Sequence, residues 1–524
     1  MPEQSTIDEI VRTQAARRGP HDAVIDTAGR ITYAELDSST RELAAVFVEA
    51  GVGKGTRVGL MMPNGVRWVQ FAIAIMRIGG VLVPLSTLLQ ARELMALLGA
   101  ASVQSLLSVE EFRGHRYLDE LRSELGTAEL GDPVRHPKLP ALRHVWTPDL
   151  VVRGPPGEGA ARVVDAMTAS ACPSDPLAIM FTSGSSGPPK GVVHSHGSAL
   201  GAVSSGQQAR CIDSNTCLYI PMPFFWVGGL AGGVISALLA GATLITEEVP
   251  QPETTLRLLE RERVTLFRGW PDQAEALARQ ADSVGADLSA LRGGSLEALL
   301  PPEQRGAPGA RAKLFGMTES FGPYCGYRAD TDMPRSAWGS CGRPFDGMEV
   351  RVVDPESGAP VPTGSVGMIQ IRGPHTLRGV CRRSREDLFT TDGFYPTGDL
   401  GHLDDDGFMF YHGRSDDMFK VSGATVYPSE VEQALRTIEG VDGAFVTDVD
   451  GVVGAVVVCG AETTADDLRL SARKVLSSFK IPSVWLLVDS DEAIPRKATG
   501  KVDVRQLREL LSTASRRGIA LPEG

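Results

Sequence analysis

A loop rich in hydroxyls and glycines that ends in a lysine carries the strongest chemical signal in the sequence. An apolar stretch at 177–181 leads into this loop, and Lys190 closes it after two prolines. The loop residues are Thr182, Ser183, Gly184, Ser185, Ser186 and Gly187. Glycines let backbone N–H groups converge on an anion, hydroxyls donate to phosphate oxygens, and lysine adds positive charge. The pattern therefore predicts a phosphate-binding loop rather than the alternative, a surface loop of Ser and Gly.

Four further segments combine side chains that could bind a nucleotide, a sugar or a metal ion. An aromatic ring, Thr318 and Glu319 fall within five residues, and Asp399 follows a glycine turn where a carboxylate could chelate a ribose diol. The segment 413–432 is rich in charged and small residues, and the segment 494–502 is basic. Taken singly, such segments also have plain structural alternatives: a capped helix start, a β-turn or a solvated basic turn.

Alternating strand and helix patterns supply the elements that would hold these segments. Helical periodicity runs through 32–50 and 68–78, and short apolar strands are indicated at 58–62 and 81–85. Glycine and proline residues separate these elements, and the same alternation recurs at 177–249. Strand–helix–strand units with short joints predict an α/β layered fold.

The rest of the chain is patterned differently. The segment 126–176 is rich in Pro, Gly and Arg, and we expect loops and edge strands there. The segment 344–411 is predicted to be β-rich because Gly-Pro and Asp-Gly turns punctuate it. Near the C-terminus the pattern alternates again, with helices predicted at 429–438 and 465–478 and strands at 443–448 and 452–458.

Composition limits the classes of protein to which the chain can belong. With 524 residues it is too long for one compact core, and roughly two to four structural units are expected. The apolar fraction of 42% and the charged fraction of 22% fit a soluble globular protein. The net charge of −12 disfavours non-specific binding to nucleic acid, which needs a basic surface. The 58 glycines show no collagen repeat and therefore indicate turns and close backbone approaches.

Cysteine use and the apolar runs bear on the compartment. The seven cysteines are scattered, without a CxxC pair or a Cys/His ligand spacing, so we expect a reduced compartment and no structural zinc. The N-terminal residues lack the basic and apolar regions of a signal peptide. The longest apolar run, Gly228 to Ile245, is broken by small residues and is interpreted as a buried helix followed by a strand. The chain is therefore expected in the cytoplasm, with no integral membrane segment.

In this order and at these distances, the five segments resemble those of the adenylate-forming superfamily, which includes acyl-CoA synthetases, peptide-synthetase adenylation domains and luciferases. The resemblance extends from Thr32 to Lys501, and the joint occurrence is far more specific than any one motif. It implies a large N-terminal adenylate-forming domain, built from subdomains, at 1–414. A hinge at 415–417 and a small mobile α+β lid domain at 418–524 would complete the chain.

The resemblance implies a nucleotide-binding role for most of the candidate residues. ATP or AMP would be bound by Thr182, Ser183, Gly184, Ser185, Ser186, Gly187, Lys190, Gly293, Gly294, Ser295, Phe315, Gly316, Met317, Thr318, Asp399, Arg414 and Lys501. Two departures from the superfamily pattern occur in this set. Phe315 replaces the tyrosine that usually stacks on adenine, and Ser185 and Ser186 stand where two threonines are common.

Catalysis and domain movement are assigned in the same way. Lys501, Thr318 and Glu319 would be catalytic, with Glu319 as the Mg²⁺ ligand. Asp416 would be the hinge residue about which the small domain rotates between the two steps of the reaction. The residues Lys420, Ser422 and Gly423 would flank the tunnel through which a thiol reaches the acyl group.

The segment 223–229 resembles the acyl pocket of this superfamily. The implied pocket residues are Phe225, Trp226, Gly228, Gly229, Gly294 and Met317. Relatives that activate amino acids carry an Asp in this segment, and its absence argues against an amino-acid substrate because a buried ammonium needs a partner. The glycines leave room for a fatty, aryl or polycyclic acid, or alternatively they permit tight helix packing.

The implied activity is that of an ATP-dependent acyl-CoA ligase. The carboxylate of a hydrophobic acid would attack the α-phosphate of ATP with release of pyrophosphate, and CoA would take the acyl group from the resulting acyl-AMP. ATP, Mg²⁺ and CoA are thus expected, in fatty acid or secondary metabolism, for a monomer or a homodimer. The alternatives are an acyl-AMP ligase that loads a separate carrier protein, a luciferase-like oxygenase and a non-catalytic relative. A serine hydrolase is disfavoured because no GxSxG motif occurs.

Overall fold

The chain divides into two compact units that both mix helices with sheets. The computed structural model describes residues 4–127, 133–151, 157–182, 189–415, 418–421, 424–460, 463–496 and 502–516. The first unit comprises Met1–Val350, Ile371–Tyr395 and Gly407–Met409, and the second comprises Arg351–Gln370, Pro396–Asp406 and Phe410–Gly524. The predicted α/β class is confirmed.

A seven-stranded sheet, called the central sheet, runs through the first unit. In spatial order its strands are Gly379–Val380, Lys190–Ser195, Pro176–Thr182, Val81–Pro84, Arg57–Met61, Ser105–Ser108 and His144–Trp146. The last five of these pair in parallel, whereas Lys190–Ser195 is antiparallel to both of its neighbours. Parallel strands are covered on both faces, which explains why Val81–Pro84 is buried at every position.

A second, five-stranded sheet lies in the same unit. Its strands follow the order Leu266–Phe267, Cys217–Tyr219, Thr243–Ile245, Asp22–Ile25 and Arg30–Thr32, and only the last pair is antiparallel. The strand Leu266–Phe267 ends directly before Arg268, and Cys217–Tyr219 leads toward the aromatic segment 224–226. This sheet therefore positions the residues predicted to line the acyl pocket.

Helices cover these sheets, and a small antiparallel sheet of Phe315–Met317, Gly322–Gly326 and Arg343–Pro344 completes the unit. The longer helices are Ile7–Arg18, Tyr33–Glu49, Val66–Arg77, Ala91–Ala100, Tyr117–Leu125, Glu158–Ser170, His196–Ser205, Pro252–Arg261 and Pro271–Val284. Shorter helical pieces are Pro148–Val151, Val227–Gly229, Leu230–Ile235, Ser236–Ala240, Glu297–Leu299, Pro302–Gln304, Thr318–Ser320 and Arg335–Ala337. Apolar residues on nearly every face of Val66–Arg77 place this helix inside the largest hydrophobic core.

The second unit is built on two larger sheets. A four-stranded sheet has the order Glu349–Val353, Gly367–Arg372, Tyr395–Leu403 and Met409–Arg414. A three-stranded sheet has the order Val441–Val449, Val452–Cys459 and Val484–Val488, and Phe419–Val421 pairs with Ala424–Val426. The helices are Pro428–Arg436, Ala465–Val475, Ser478–Lys480, Asp491–Ala493 and Val504–Arg516. The β-rich region and the C-terminal alternation are thus confirmed.

One region differs from its prediction. Loops and edge strands were expected throughout 126–176, but Glu158–Ser170 is a helix of 13 residues. Val164 is buried in the main core and Met167 packs against the same core. The helix carries a narrow apolar stripe among Ala, Arg and Gly residues, which explains why composition alone misses it.

The apolar run at 228–245 folds as predicted, into helical turns followed by the strand Thr243–Ile245. None of the helices in the described ranges combines the length and the apolar character needed to cross a lipid bilayer.

Candidate active site

The predicted phosphate loop connects two paired strands of the central sheet. Thr182 ends one strand, Lys190 begins the next, and the two residues face each other in antiparallel register. Both side chains are half-buried. The loop residues Ser183, Gly184, Ser185, Ser186 and Gly187 lie outside the described residues, so their contact with phosphate remains a prediction. The register places Lys190 beside Thr182, so these two residues mark the two ends of the loop.

The turn Thr318–Ser320 presents the two side chains predicted to contact the α-phosphate and Mg²⁺. The Ser320 hydroxyl closes this turn, because it accepts from the Met317 N–H at 3.2 Å and lies 2.7 Å from the Gly322 carbonyl oxygen, to which it donates. Phe321 follows with φ of 52°, a left-handed conformation that is strained for a bulky residue. A strained residue persists where its surroundings dictate the backbone, so the turn is tightly specified.

The Glu319 carboxylate is buried and is held from two sides. Its Oε1 accepts a hydrogen bond from the Tyr395 hydroxyl at 3.2 Å. Its backbone carbonyl accepts from the Leu377 N–H at 2.8 Å. The backbone of Glu319 is therefore anchored independently of its side chain, which is 7% exposed.

Phe315 and Gly316 lie on the strand that precedes this turn. The Phe315 ring is half-buried and meets the Tyr324 ring edge-on, with centroids 5.8 Å apart. A Cβ on Gly316 would lie 2.1 Å from the carbonyl oxygen of Gly322 on the adjacent strand. Glycine at 316 is thus required for the close approach of the two strands, in addition to any contact with nucleotide.

A buried histidine that none of the sequence motifs includes joins the phosphate-loop strand to the turn. His194 lies on the strand Lys190–Ser195, and its Nε2 is 2.8 Å from the carbonyl oxygen of Thr318. A carbonyl can only accept, so Nε2 carries the proton and donates. Burial lowers the pKa of His194 to about 4, and the Phe321 ring packs against it at 4.8 Å. The two predicted phosphate-binding segments are therefore joined by one neutral histidine.

Replacing His194 is expected to impair turnover more than substrate binding. His194→Leu removes the donor to Thr318 and should lower kcat about tenfold with little change in the KM for ATP, whereas His194→Gln keeps an amide donor and should retain most activity.

Since the folded pKa of His194 is near 4 and the unfolded value is near 6.5, the stability that neutral His194 contributes is complete above about pH 6.5 and is lost as the pH falls toward 4. Assays at pH 7–8 therefore sample only the neutral form.

His196 provides the matched control for this measurement. It is equally buried, and its Nδ1 accepts from the Ile7 N–H at 3.1 Å, away from Thr318. His196→Leu should lower Tm while leaving the kcat of the folded enzyme unchanged. Equal kcat losses for the His194 and His196 variants would contradict the positioning role of His194.

The glycine turn predicted to lie beside adenine is fixed to the end of the second sheet. Gly294 has φ of 92°, a conformation that favours glycine. The Ser295 hydroxyl accepts from the Phe267 N–H at 3.1 Å, so this side chain is used for structure. Gly293 lines a cleft of about 230 Å³ together with Cys211 and Asp330.

The aromatic segment of the predicted acyl pocket forms a continuous row of rings. Phe225 and Trp226 meet edge-on at 5.4 Å, and Trp226 meets Trp270 at 5.8 Å. Phe225 is buried, whereas Trp226 and Trp270 are half-buried. Asn64 holds the segment in place, because its side-chain carbonyl accepts from the Phe224 N–H at 2.8 Å. Trp270 was not among the residues predicted from the sequence.

The glycines of this segment meet their neighbours closely. A Cβ on Gly229 would lie 2.1 Å from the Pro223 carbonyl oxygen, and a Cβ on Gly228 would lie 2.8 Å from the Met222 sulfur. At these two positions the structure favours the alternative of tight packing over open space. Beside Gly232 the nearest atom would be Ile220 Cδ1 at 3.9 Å, which leaves room at that position.

The second unit contains the carboxylate predicted to bind ribose. Asp399 is 6% exposed, and its Oδ1 lies 3.2 Å from Nη1 of Arg414. Arg414 also donates to the Thr397 carbonyl at 2.8 Å. Gly398 has φ of 75°, and a Cβ there would lie 2.6 Å from Nη2 of Arg414. The glycine thus permits the arginine to reach the carboxylate, so two residues predicted to bind the nucleotide form an ion pair.

The remaining predicted residues belong to the hinge, the thiol tunnel and the C-terminal basic segment. Asp416, Ser422, Gly423 and Lys501 lie outside the described residues, as does the side chain of Lys420. The backbone of Lys420 pairs with Thr425 in a two-stranded ribbon. The hinge, the thiol tunnel and the catalytic lysine remain predictions.

Comparison with known proteins agrees with the superfamily indicated by the motifs. Residues 11–381 match the family described as AMP-binding enzyme. The chain is 31% identical over 533 residues to a 3-[(3aS,4S,7aS)-7a-methyl-1,5-dioxo-octahydro-1H-inden-4-yl]propanoyl:CoA ligase of Mycobacterium tuberculosis, covering 97% of this chain and 98% of that protein. It is 29% identical to a 3-hydroxybenzoate–CoA ligase of Aromatoleum, covering 96% of each.

A solved structure extends this similarity to three dimensions. The crystal structure of ATP-bound MatB from Rhodopseudomonas palustris superposes with a TM-score of 0.75 at 25% identity. The alignment covers 97% of this chain and 99% of that one. The similarity therefore includes both units and is not confined to the region of the family match.

Proposed function

The chain belongs to the AMP-binding enzyme family and is an acid–thiol ligase, and from this premise we propose that it activates a hydrophobic carboxylic acid as acyl-AMP and transfers the acyl group to CoA. The observation that carries the proposal is the turn Thr318–Ser320, which His194 joins to the phosphate-loop strand. This contact joins the turn that carries Thr318 and Glu319 to the strand that begins at Lys190, which supports a role for both segments in binding one nucleotide. Relatives at 29–31% identity over their full length are CoA ligases.

The proposed first step joins a carboxylate to the α-phosphorus of ATP. A carboxylate oxygen forms the new P–O bond, the bond from the α-phosphorus to the bridging oxygen breaks, and pyrophosphate leaves. The nucleophile is already ionised, so no general base is needed. Charge that develops on the α-phosphoryl oxygens would be stabilised by Thr318 and Lys501. In the second step the sulfur of CoA forms the thioester bond, AMP leaves, and the thiol proton is released.

Glu319 suits a Mg²⁺ ion that arrives with ATP. Mg²⁺ keeps several waters and is commonly bound through one or two carboxylates together with substrate phosphates. One buried carboxylate oriented by the Tyr395 hydroxyl meets this requirement. When bound, the ion would neutralise charge on the phosphate oxygens.

We infer a fatty, aryl or polycyclic acid from the aromatic row of the pocket. Rings of Phe225, Trp226 and Trp270 offer apolar area, and Gly232, six residues after Trp226, has open space at its Cα. The names of the two curated relatives describe a bicyclic acid and an aromatic acid, which fits this class.

Trp226→Ala is expected to change which acids are accepted. Removing the indole enlarges the pocket, so the ratio of kcat/KM for bulky over small acids should rise about tenfold. Pyrophosphate release measured on a graded series of acids tests this. Trp338→Ala is the matched control, because Trp338 donates to the Met333 carbonyl away from the aromatic row. An unaltered acid preference in Trp226→Ala would place this residue outside the pocket.

The second candidate is an acyl-AMP ligase that loads a carrier protein. The strands Val441–Val449 and Val452–Cys459 pair up to Val449 and Val452, so only two residues form the turn. CoA ligases of this superfamily commonly have a longer, charged connection between these strands of the small domain. The thiol acceptor would therefore dock differently on this chain. The deciding experiment is a panel of carboxylic acids scored for pyrophosphate release and for thioester formation with CoA. Adenylate formation without a CoA thioester would favour the carrier protein.

We also propose the domain organisation and the compartment on the evidence of the sequence. The small domain 418–524 would rotate about Asp416, which removes Lys501 after adenylation and opens the thiol tunnel. All seven cysteines are free thiols, which supports a reducing compartment such as the cytoplasm.

A further inference from the structure

Two arginines of the first unit lie side by side without an acidic partner. Arg210 is 4% exposed, and its Nη1 donates to the Val203 carbonyl at 2.8 Å. Arg268 donates from Nη2 to the backbone carbonyl of Arg210 at 2.6 Å. Within the described part of the chain, both guanidinium groups use neutral carbonyls as acceptors and neither forms an ion pair.

The hydrogen-bonding capacity of the pair is not filled. Nη2 of Arg210 and Nε of Arg268 are buried and have no acceptor among the described residues. Burial lowers the pKa of both groups to about 10, and for Arg210 the charge of Arg268 adds to this effect. The carboxylate that attracts Arg268 is Asp330, which already accepts two hydrogen bonds from Arg328. Buried charges of like sign therefore lack a compensating anion, an arrangement that is costly unless a ligand supplies one.

The Arg268 guanidinium lies near Gly294 of the predicted acyl pocket, and the Arg210 guanidinium lies near Gly322, which pairs with the predicted pocket residue Met317. A Cβ on Gly294 would lie 3.7 Å from Nη2 of Arg268, and a Cβ on Gly322 would lie 3.8 Å from Nη2 of Arg210. Gly322 is the register partner of Met317. Trp270, two residues after Arg268, packs against Trp226.

Arg268 is deep in the unit but is not sealed from solvent. Its side chain is half-buried, as are those of Trp226 and Trp270. Arg268 therefore keeps some exposed surface on the same short segment as Trp270.

We propose that Arg268, supported by Arg210, binds an oxygen acceptor on the acid at a position remote from the reacting carboxylate. The ligand class is an acid that carries a second carboxylate or a carbonyl group. The exposed part of the Arg268 guanidinium would donate to this oxygen, and a carboxylate would also neutralise the buried charge. The inference rests on the proposed function, because it assigns a specificity-determining residue to the same acyl site.

A matched series of acids tests the proposal. The probes are three phenylpropanoic acids that carry hydrogen, acetyl or carboxylate at the ring position opposite the propanoic acid chain. The kcat/KM of the wild-type enzyme should be about 100-fold higher for the acetyl and carboxylate probes than for the hydrogen probe. A site that hydrogen-bonds a polar group of the substrate rejects an analogue without that group. In Arg268→Met this preference should disappear through a higher KM for the oxygen-bearing acids, with the KM for ATP unchanged. Comparing the acetyl and carboxylate probes identifies which oxygen is favoured.

Controls separate the possible outcomes. Arg268→Lys keeps a cation and should retain part of the preference, whereas Arg257→Met removes an exposed arginine and should retain all of it. Equal losses on all three acids in Arg268→Met, or a raised KM for ATP, would assign Arg268 to the reacting carboxylate or to ATP and overturn the proposal. Binding without ATP gives an independent readout, because the dicarboxylate should raise the Tm of the wild type but not of Arg268→Met. If the wild type released no pyrophosphate with any acid, the proposed function would fail, while this Tm difference would still support the subsite.

Discussion

Replacing Lys501 with alanine is expected to abolish most ATP-dependent pyrophosphate release and to leave thioester formation from a pre-made acyl-adenylate intact. The first half-reaction brings an anionic carboxylate to the anionic α-phosphate, and charge grows on the phosphoryl oxygens in the transition state. An ammonium aimed at those oxygens is worth about 100- to 1,000-fold in rate, by analogy with the removal of one oxyanion-stabilising donor. The second half-reaction discharges the adenylate and needs the thiol to reach the carbonyl, so it does not require this cation.

The measurement compares the two half-reactions in one preparation. Pyrophosphate release is followed with ATP and an accepted acid, and thioester formation is followed with synthetic acyl-adenylate and CoA. Lys497→Ala is the matched control, because it removes a lysine from the same basic segment, four residues before Lys501. Lys497→Ala should keep both rates near those of the wild type. Loss of both half-reactions in Lys501→Ala would contradict the proposal that rotation of the small domain switches the enzyme from adenylation to thioester formation.

Local sequence patterns predicted the elements that hold the site. The strand predicted at 58–62 is Arg57–Met61, and the helix predicted at 68–78 is Val66–Arg77. Apolar runs bounded by Gly and Pro residues are strong signals, because burial and chain reversal act on the same short segments. The helix Glu158–Ser170 escaped prediction because its stripe of apolar residues is narrow and its flanks are rich in Pro and Gly.

Residues that act through distant contacts could not be predicted in the same way. His194 lies on an apolar strand, and nothing in the local pattern indicates that its ring reaches Thr318, which is 124 positions away. Arg268 looks like an ordinary arginine after a strand until Arg210, 58 positions earlier, is found beside it. His194 and Ser195 are both buried, so the two-residue period of a strand gave no separate signal for the histidine. Motifs identify groups that touch a ligand, whereas the contacts that orient those groups depend on the fold.

Gly316 shows that a motif residue can also serve the fold. Its place in the motif suggested that the backbone approaches the nucleotide, yet the Gly322 carbonyl occupies the space where a Cβ would lie. Gly398 is similar, because the Arg414 guanidinium fills the corresponding space. Sequence alone does not separate the two reasons for a glycine, since both require the absence of a side chain.

Glu319→Gln is expected to lower pyrophosphate release about 100-fold and to raise the Mg²⁺ concentration needed for half-maximal activity. The substitution removes one negative charge and keeps the size of the side chain. The backbone should not move, because the Leu377 N–H donates to the Glu319 carbonyl whichever side chain is present. Glutamine can still accept from the Tyr395 hydroxyl, so the loss would report on charge rather than on misfolding.

Tyr395→Phe separates orientation of the carboxylate from its charge. This variant removes the hydrogen bond to Oε1 of Glu319 and keeps the aromatic ring and the anion. A single hydrogen bond of this kind contributes about 1–1.5 kcal/mol, so kcat should fall about tenfold or less while the Mg²⁺ dependence stays close to that of the wild type. Both variants are titrated with Mg²⁺ at saturating ATP. If Glu319→Gln shows the wild-type Mg²⁺ dependence, Glu319 is not the metal ligand, and its buried charge would have to act directly on the Thr318–Ser320 turn.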